Sequence, residues 1–450
     1  MNTHDLLTRP VKNIFMKYLI PSIFATMVTS IYVLADTIIV GKGIGTIAVA
    51  ALNIILPLFN IFFGIGLLFG VGGSVLMSIS RGEGDEESAD AYFSTSLLAT
   101  FAALALAMVI FTVFMEKFAL MLGGTPETMP YIMDYMPYIV WGMGMFFFSS
   151  YLQTFIRNDG APKLSMNAVI AGGVANIILD YVYVYIFHMG MRGAAIATVM
   201  GSSLTVLILL AHFFSKKNRL KFSLGRVRLH LVKNIFFNGF SSFLIEAASG
   251  ITVFVFNTQL LKYAGNTGVS VYSIISNTVI VVVCLCKGIN QAAQPLISTN
   301  YGAGLLDRTR RILSLSVKTS IIACAIPTVI GLLEPNIFTY IFINPDESIL
   351  EMSGAAIRVY FTAFIMLGVN MVFISYFQSI LQNGYSMIIC LMRGLVLVVI
   401  LAYLFPFMWG VMGIWLAVPV GELITMLLGI YFIRSKKTQN QEILMNNLIK

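Results

Sequence analysis

The sequence predicts an all-α polytopic membrane protein, and three observations carry that expectation. Of its 450 residues, 58% are hydrophobic and 11% charged, where a soluble domain carries roughly a quarter charged residues. The mean hydropathy is +0.88. Apolar runs long enough to cross a hydrocarbon core of ~30 Å occur twelve times. Such runs are too long for barrel strands, and a backbone in lipid must pair its own amides, so the spans are helices.

Span 1 is expected near 14–40. The N-terminus MNTHDLLTRPVKNIFMKYLIPSIF has no short apolar run ending in a small-residue cleavage site, and its hydrophobic stretch continues to full spanning length, so this helix is expected to stay attached. Spans 2 to 6 follow near 51–79, 91–115, 131–156, 164–187 and 193–214. Residues 215–235 interrupt the pattern with the basic cluster Lys216, Lys217, Arg219, Lys221, Arg226, Arg228 and Lys233. This stretch reads as a linker and topology anchor, against a competing reading as an anionic-lipid site. Spans 7 to 12 fall near 236–262, 269–298, 312–333, 354–381, 386–406 and 411–433, and 434–450 form a tail. Cys284, Cys286, Cys324 and Cys390 all lie inside spans, where a thiol behaves as a small apolar residue. No metal site, disulfide or cofactor is expected.

The net charge of +8 would suit nucleic acid, but basic residues beside membrane spans answer first to the positive-inside rule. With both termini cytoplasmic, nineteen Lys and Arg fall in inner segments and four, Lys42, Lys117, Arg192 and Lys262, in outer loops. The expectation is a multi-pass plasma-membrane protein with cytoplasmic termini, a bilayer as partner and no nucleic acid.

The chain also matches itself. SSYLQTFIRNDG (149–160) resembles ISYFQSILQNG (374–384); Gly190, Gly193 and Ala197 answer Gly410, Gly413 and Ala417 at a shift of 220; SISRGEG (78–84) answers ISTNYGAG (297–304); TPE (125–127) answers NPD (344–346). Six helices are repeated as six: an N-terminal lobe 1–214, the linker 215–235 and a C-terminal lobe 236–433. An even number of helices keeps both copies in one orientation, so a pseudo-two-fold axis along the membrane normal and a cavity between the lobes are expected. Repeats of this kind belong to transporters. No HExxH or GxSxG occurs, and His188 and His212 sit at helix ends, so an enzyme is not expected.

Intramembrane charges mark the candidate sites, because an acid at the bilayer centre costs at least ~2.5 kcal/mol and needs protein, water or a partner around it. Asp36 near the outer end of span 1 and Asp180 at similar depth in span 5 are placed to meet. Tyr32 and Asn176 lie one helical turn before them, on the same faces. Two carboxylates together in low dielectric cannot both ionise cheaply, so such a site takes up a proton or a small cation. The alternative is a pair of packing hydrogen bonds without a transport role. Glu246 in span 7 and Lys287 in span 8 read as an ion pair, either structural or engaged in gating or substrate contact. Arg393 and Glu422 read as a second, structural pair. Asn257 (set opposite Asp36 by the repeat), Asn277, Gln291, Gln294, Gln153 and Gln378 are candidates to line the cavity, although polar residues also join helices to one another.

YVLADTIIVGKGIG (32–45), GVGGSVLMSISRGEGDEESADAYFSTS (70–96), FIRNDGAPKLSMNAVIAGGVANIILDYVYVY (155–185) and GMRGAAIATV (190–199) resemble the multidrug and toxic compound extrusion (MATE) family, and QPLISTNYGAG (294–304) resembles its second half, in particular a MepA-like bacterial branch. The resemblance implies two six-helix bundles forming a V, and export of bulky lipophilic, often cationic compounds in exchange for H⁺ or Na⁺. It implies that Asp36 and Asp180 form a cation-coupling site with Tyr32 and Asn176, and adds Tyr135 on span 4 and Thr198 on span 6. Some members couple Na⁺ through acids of the second lobe, one on span 10; here GVNMVFISYFQSIL (368–381) carries none and Glu246 is offset, against Na⁺ coupling there. A flippase of lipid-linked precursors from the wider superfamily is the alternative. Its charged head group calls for several bases in the cavity, whereas Lys287, Lys318, Arg358 and Arg393 are spread over four spans. A monomeric exporter of small lipophilic cations is the expectation.

Overall fold

The computed structural model describes residues 3–342 and 345–448, apart from the side chains of Ser249 and 436–448. Asn344 of the NPD match, Lys450, and the side chains of Lys436 and Lys437 lie outside the described residues. Among the described residues ten helices are long and apolar enough to span a bilayer, and the pair Met129–Trp141 and Met143–Asn158, bent by 51°, makes an eleventh span. One of the ten, Leu231–Gly302, is two helices joined across Gly265, whose φ of 62° and ψ of −154° no helix contains. All twelve expected spans are therefore present.

Spans 1 to 3 are Val11–Gly43, Thr46–Glu83 and Glu86–Val113. Span 4 is the bent pair; span 5 is Pro162–Tyr181 prolonged by the π turn Val182–Ile186; span 6 is Gly190–Leu210. Spans 7 and 8 are the two arms of Leu231–Gly302, so span 7 starts inside the stretch expected as linker. Span 9 is Leu306–Leu333. Span 10 breaks between Glu347–Tyr360 and Ala363–Ser379. Span 11 runs through Asn383–Leu391, the π turn Met392–Val396 and Leu397–Leu404, and span 12 opens the helix Val411–Leu448. The helices outrun the apolar runs because polar residues cap them beyond the lipid zone. Asp85, for instance, accepts a hydrogen bond from Ser88 N at 2.9 Å at the start of span 3.

The repeat is written in the backbone as well as in the residues. Glycines with positive φ occur in pairs 220 residues apart: Gly45 and Gly265, Gly84 and Gly304, Gly190 and Gly410. Each pair ends a helix with a turn that a Cβ would strain. The turn between spans 1 and 2 thus has its copy between spans 7 and 8. That register corrects one expectation: Phe256, not Asn257, stands 220 residues from Asp36, and Phe256 is wholly buried against Tyr272 at 5.0 Å between ring centroids. Span 4 breaks at Gly142 and span 10 after Tyr360, near the equivalent position. At the break in span 10 the Phe361 carbonyl accepts hydrogen bonds from the Phe364 amide at 3.1 Å and the Thr328 hydroxyl at 3.0 Å.

The chain divides into two compact units. The first is Met1–Ala247 with Lys287–Ile312; the second is Ala248–Cys286 with Leu313–Lys450. In the first unit span 2 packs backbone to backbone on the linker-side arms of spans 7 and 8. A Cβ on Gly239 would lie 1.7 Å from the Leu68 carbonyl oxygen, and one on Gly302 2.1 Å from that of Ile79. Lipid offers no hydrophobic drive between helices, so small residues that allow this approach supply the packing energy. The linker is docked too. Arg219 pairs with Glu86, Arg226 with Asp90, and Arg228 with Glu87 at 2.9 Å, while Arg228 N donates to the Thr95 hydroxyl at 3.0 Å. Three of its arginines are thus engaged by acids of span 3. In the second unit Cys286 Sγ lies 3.5 Å from Cys324 Sγ.

Candidate functional site

Two glycine crossings explain why the acids of spans 1 and 5 meet. At AGGV (171–174), a Cβ on Gly172 would lie 1.9 Å from the Thr205 hydroxyl and 2.6 Å from the Gly201 carbonyl oxygen, so spans 5 and 6 touch through backbone. A Cβ on Gly173 would lie 3.0 Å from the Tyr32 ring, which seats span 1 on the adjoining face. Asn176 stands one turn on from Gly172, and Asp180 two turns on. Just beyond the acid, the π turn and the Tyr185 hydroxyl, which donates to the Ile39 carbonyl at 3.4 Å, tie the ends of spans 5 and 1 together. Single π turns recur at functional positions of helices.

The six residues named for this site come together. The carboxyl groups of Asp36 and Asp180 face each other within hydrogen-bonding reach. Asp36 is 9% exposed and Asp180 0%. Asp36 Oδ1 and both Asp180 oxygens nonetheless receive no hydrogen bond from a donor of the described residues. Asn176 lies against Asp180 and donates to the Thr198 hydroxyl at 3.5 Å, and that hydroxyl donates to the Ala194 carbonyl at 3.0 Å. The buried Tyr135 hydroxyl lies beside Thr198 and both acids without closing a hydrogen bond. Asp36 Oδ1, both Asp180 oxygens, Asn176 Oδ1 and the Tyr135 hydroxyl thus gather without a hydrogen-bond partner among the described residues. Unpaired carboxylates in such a place are costly, and two facing ones become tolerable when they share a proton or hold a small cation.

The remaining residues named from the sequence fall into several groups. Lys287 Nζ lies 2.6 Å from Glu246 Oε1, and both are half-buried in the first unit. Gln153 donates to the Ser149 hydroxyl at 3.1 Å. Gln291 and Gln294 accept from Arg157 and Asn158 at 3.0 and 3.3 Å. In the second unit Asn257 and Asn277 are half-buried and Gln378 is buried. There Arg393 pairs with Glu422 at 2.8 Å, and Asn370 donates to the same carboxylate at 2.7 Å.

Sequence reasoning missed the role of RND (157–159), which looked like a solvated loop because it follows an apolar span. All three residues are buried. Asp159 accepts from Arg81 Nη1 at 2.7 Å and Arg219 N at 3.0 Å, and lies 2.7 Å from His212 Nε2. Asn158 accepts from the Ser78 hydroxyl at 2.8 Å. The available signal was three consecutive polar residues in FIRNDG, where the matching FQSILQNG has no charge.

Comparison with known proteins places this architecture. Multidrug export protein MepA of Staphylococcus saprophyticus subsp. saprophyticus is 26% identical over 438 residues, 94% of each chain. The MepA protein of Staphylococcus aureus (strain MRSA252) is 25% identical over 444 residues, 95% of each. The fold is similar to that of a multidrug resistance MATE family transporter of the MOP superfamily in its outward-facing conformation, with a TM-score of 0.91 at 22% identity over 98% of this chain and 99% of that one. It is similar too to a MOP superfamily transporter from Pyrococcus furiosus, with a TM-score of 0.89 at 22% identity over 97% and 98%. The MatE family profile matches residues 21–182 and then 239–404. Those two matches fall one on each copy of the repeat and together cover most of the chain, which therefore belongs to the MatE family.

Proposed function

We propose that this protein is a secondary antiporter that exports lipophilic, often cationic compounds, driven by a proton or small monovalent cation exchanged at the Asp36 and Asp180 pair. The observation that carries the reading is the facing of two buried carboxyls, three of whose oxygens lack donors among the described residues. Coupling requires an ion that binds the two conformations unequally. A carboxyl pair held by two glycine crossings changes spacing whenever spans 5 and 6, or 1 and 5, shift. The export names of the similar proteins support drug substrates. The intramembrane bases support them as well. Lys287 and Arg393 are already paired with Glu246 and Glu422, which leaves little free positive charge to greet the anionic head group of a flippase substrate.

The test is efflux of a fluorescent cationic dye from proteoliposomes under an imposed pH gradient or Na⁺ gradient. Asp36→Asn and Asp180→Asn should each reach the membrane and bind dye, yet lose gradient-driven export. Normal efflux by both would make these acids structural. The linker end is read as cytoplasmic from the basic bias. A cysteine at Ser223 should then resist an impermeant reagent applied outside, while one at Thr125 labels; the opposite pattern would invert the orientation.

A further inference from the structure

Two buried arginines lie near the linker end of the first unit, and they differ in a way that matters. Arg81 is neutralised: it donates to Asp159 at 2.7 Å and to the Arg219 carbonyl at 2.8 Å, and Glu86 lies 3.5 Å from its Nε. Arg157, 4% exposed, has one hydrogen bond, from Nη1 to the neutral amide oxygen of Gln291 at 3.0 Å. Among the described residues its Nε has no hydrogen-bond partner. Asp159, two residues on, forms no ion pair with it among the described residues, and instead meets Arg81, His212 and the Arg219 amide. The other neighbour of note is the Tyr18 phenol, itself buried with its hydroxyl unbonded. A guanidinium offers five N–H donors, and burying one without an acid partner costs more than a single neutral acceptor returns.

The place of this deficit gives it meaning. Gln291 and Gln294 are on span 8 of the second repeat, whereas Arg157, Asn158 and Ser74 are on spans 4 and 2 of the first. Asn158 donates to Gln294 and Gln294 to Ser74, at 3.3 and 3.4 Å. Alternating exposure requires the copies to part here in the other conformation.

We infer that Arg157 is the opening element of this linker-end gate: a charge desolvated when spans 4 and 8 close, and hydrated when they separate. The closed gate is held by glycine packing and the amide contacts, while Arg157 opposes it and keeps the two conformations close enough in energy to interchange. The inference rests on the transporter reading only in needing two conformations.

Spin labels at Lys163→Cys and Arg310→Cys, both exposed at the linker end, read the gate as a distance distribution by double electron–electron resonance, with the four native cysteines replaced by alanine. The measurement uses neither drug nor ion gradient, so failure of the proposed ion coupling would leave it unchanged. Arg157→Met should raise the ratio of short to long distances at least tenfold. Gln291→Glu, which supplies the missing acid, should do the same. Gln291→Leu should lower that ratio. If the Arg157 contact were instead a latch, Arg157→Met would lengthen the distances, and that result overturns the inference. So does a wild-type distribution in all three variants. A wild type already wholly closed leaves the decision to Gln291→Leu, which must then open it.

Discussion

Removing Arg393 should damage the second unit more than any loss of packing would suggest. Its side chain is 12% exposed and that of Glu422 4%. The guanidinium approaches Glu422 through Nη2 at 2.8 Å and Nε at 3.1 and 3.3 Å, while Asn370 Nδ2 supplies one further donor at 2.7 Å and bonds the Glu422 backbone carbonyl at 2.8 Å. Arg393→Met therefore leaves a buried carboxylate with a single side-chain donor, and Glu422→Gln leaves a guanidinium without its counter-charge. Breaking a buried pair from one side costs about 3–5 kcal/mol. At about 2–4 °C per kcal/mol for a unit of this size, the melting temperature should fall by roughly 10 °C. The double variant should recover more than half of that fall, because neither charge is then left alone. Thermal unfolding in detergent, followed by size-exclusion chromatography of the surviving protein, measures all three. The same cycle on Glu246 and Lys287 is the comparison: the lysine side chain is 31% exposed, its desolvation is only partial, and the coupling should approach the ~1 kcal/mol of exposed pairs. Strictly additive losses at Arg393 and Glu422, or a fall below about 3 °C for either single change, would refute the argument.

Gly172→Val should push spans 5 and 6 apart, since its first side-chain carbon alone would lie 1.9 Å from the Thr205 hydroxyl; overpacking of this kind costs about 1–3 kcal/mol, and dye efflux should be lost while Asp36 and Asp180 are intact. Asp85 lies below the usual carboxylate range because of a hydrogen bond from the Ser88 hydroxyl, then one from the Ser88 amide. Its cap on span 3 is then fully present above pH ~4, the ordinary carboxylate value, and is lost as pH falls through the depressed folded-state value. Asp85→Asn should flatten that acid limb in a thermal titration, and an unchanged limb would show that the cap contributes nothing there.

What could be read from the chain depended on how physically isolated each signal was. Asp36 and Asp180 stood out because a carboxylate in an apolar run has few explanations; their positions in the spans gave their depth and helical spacing gave Tyr32 and Asn176, while Tyr135 and Thr198 came from the family resemblance. The pairs Glu246 with Lys287 and Arg393 with Glu422 were legible for the same reason. Asn257 was misjudged by one position because residue likeness tolerates a slip, whereas the Gly45 and Gly265 turns, each needing a backbone few residues adopt, fix the register. Arg157 was invisible. A basic residue at the end of an apolar run reads as a solvated anchor, and the distant span 8 that buries it contributes nothing local to the pattern.

The absence of a second acid pair has a quantitative consequence for energy conversion. The arm of span 7 away from the linker and all of span 11 carry no acid, and Phe256 fills the place that corresponds to Asp36. Under the proposed reading, a duplicated chain retains one ion-exchange centre, so one ion is exchanged per cycle whatever the substrate. For a neutral substrate, a driving force of 100 mV on one elementary charge is about 2.3 kcal/mol, which at 1.36 kcal/mol per decade supports a concentration ratio of roughly fifty, whereas exchange against a monovalent cation moves no net charge and draws on the ion's concentration gradient alone. Steeper gradients would require a larger driving force, since the second copy adds no further ion.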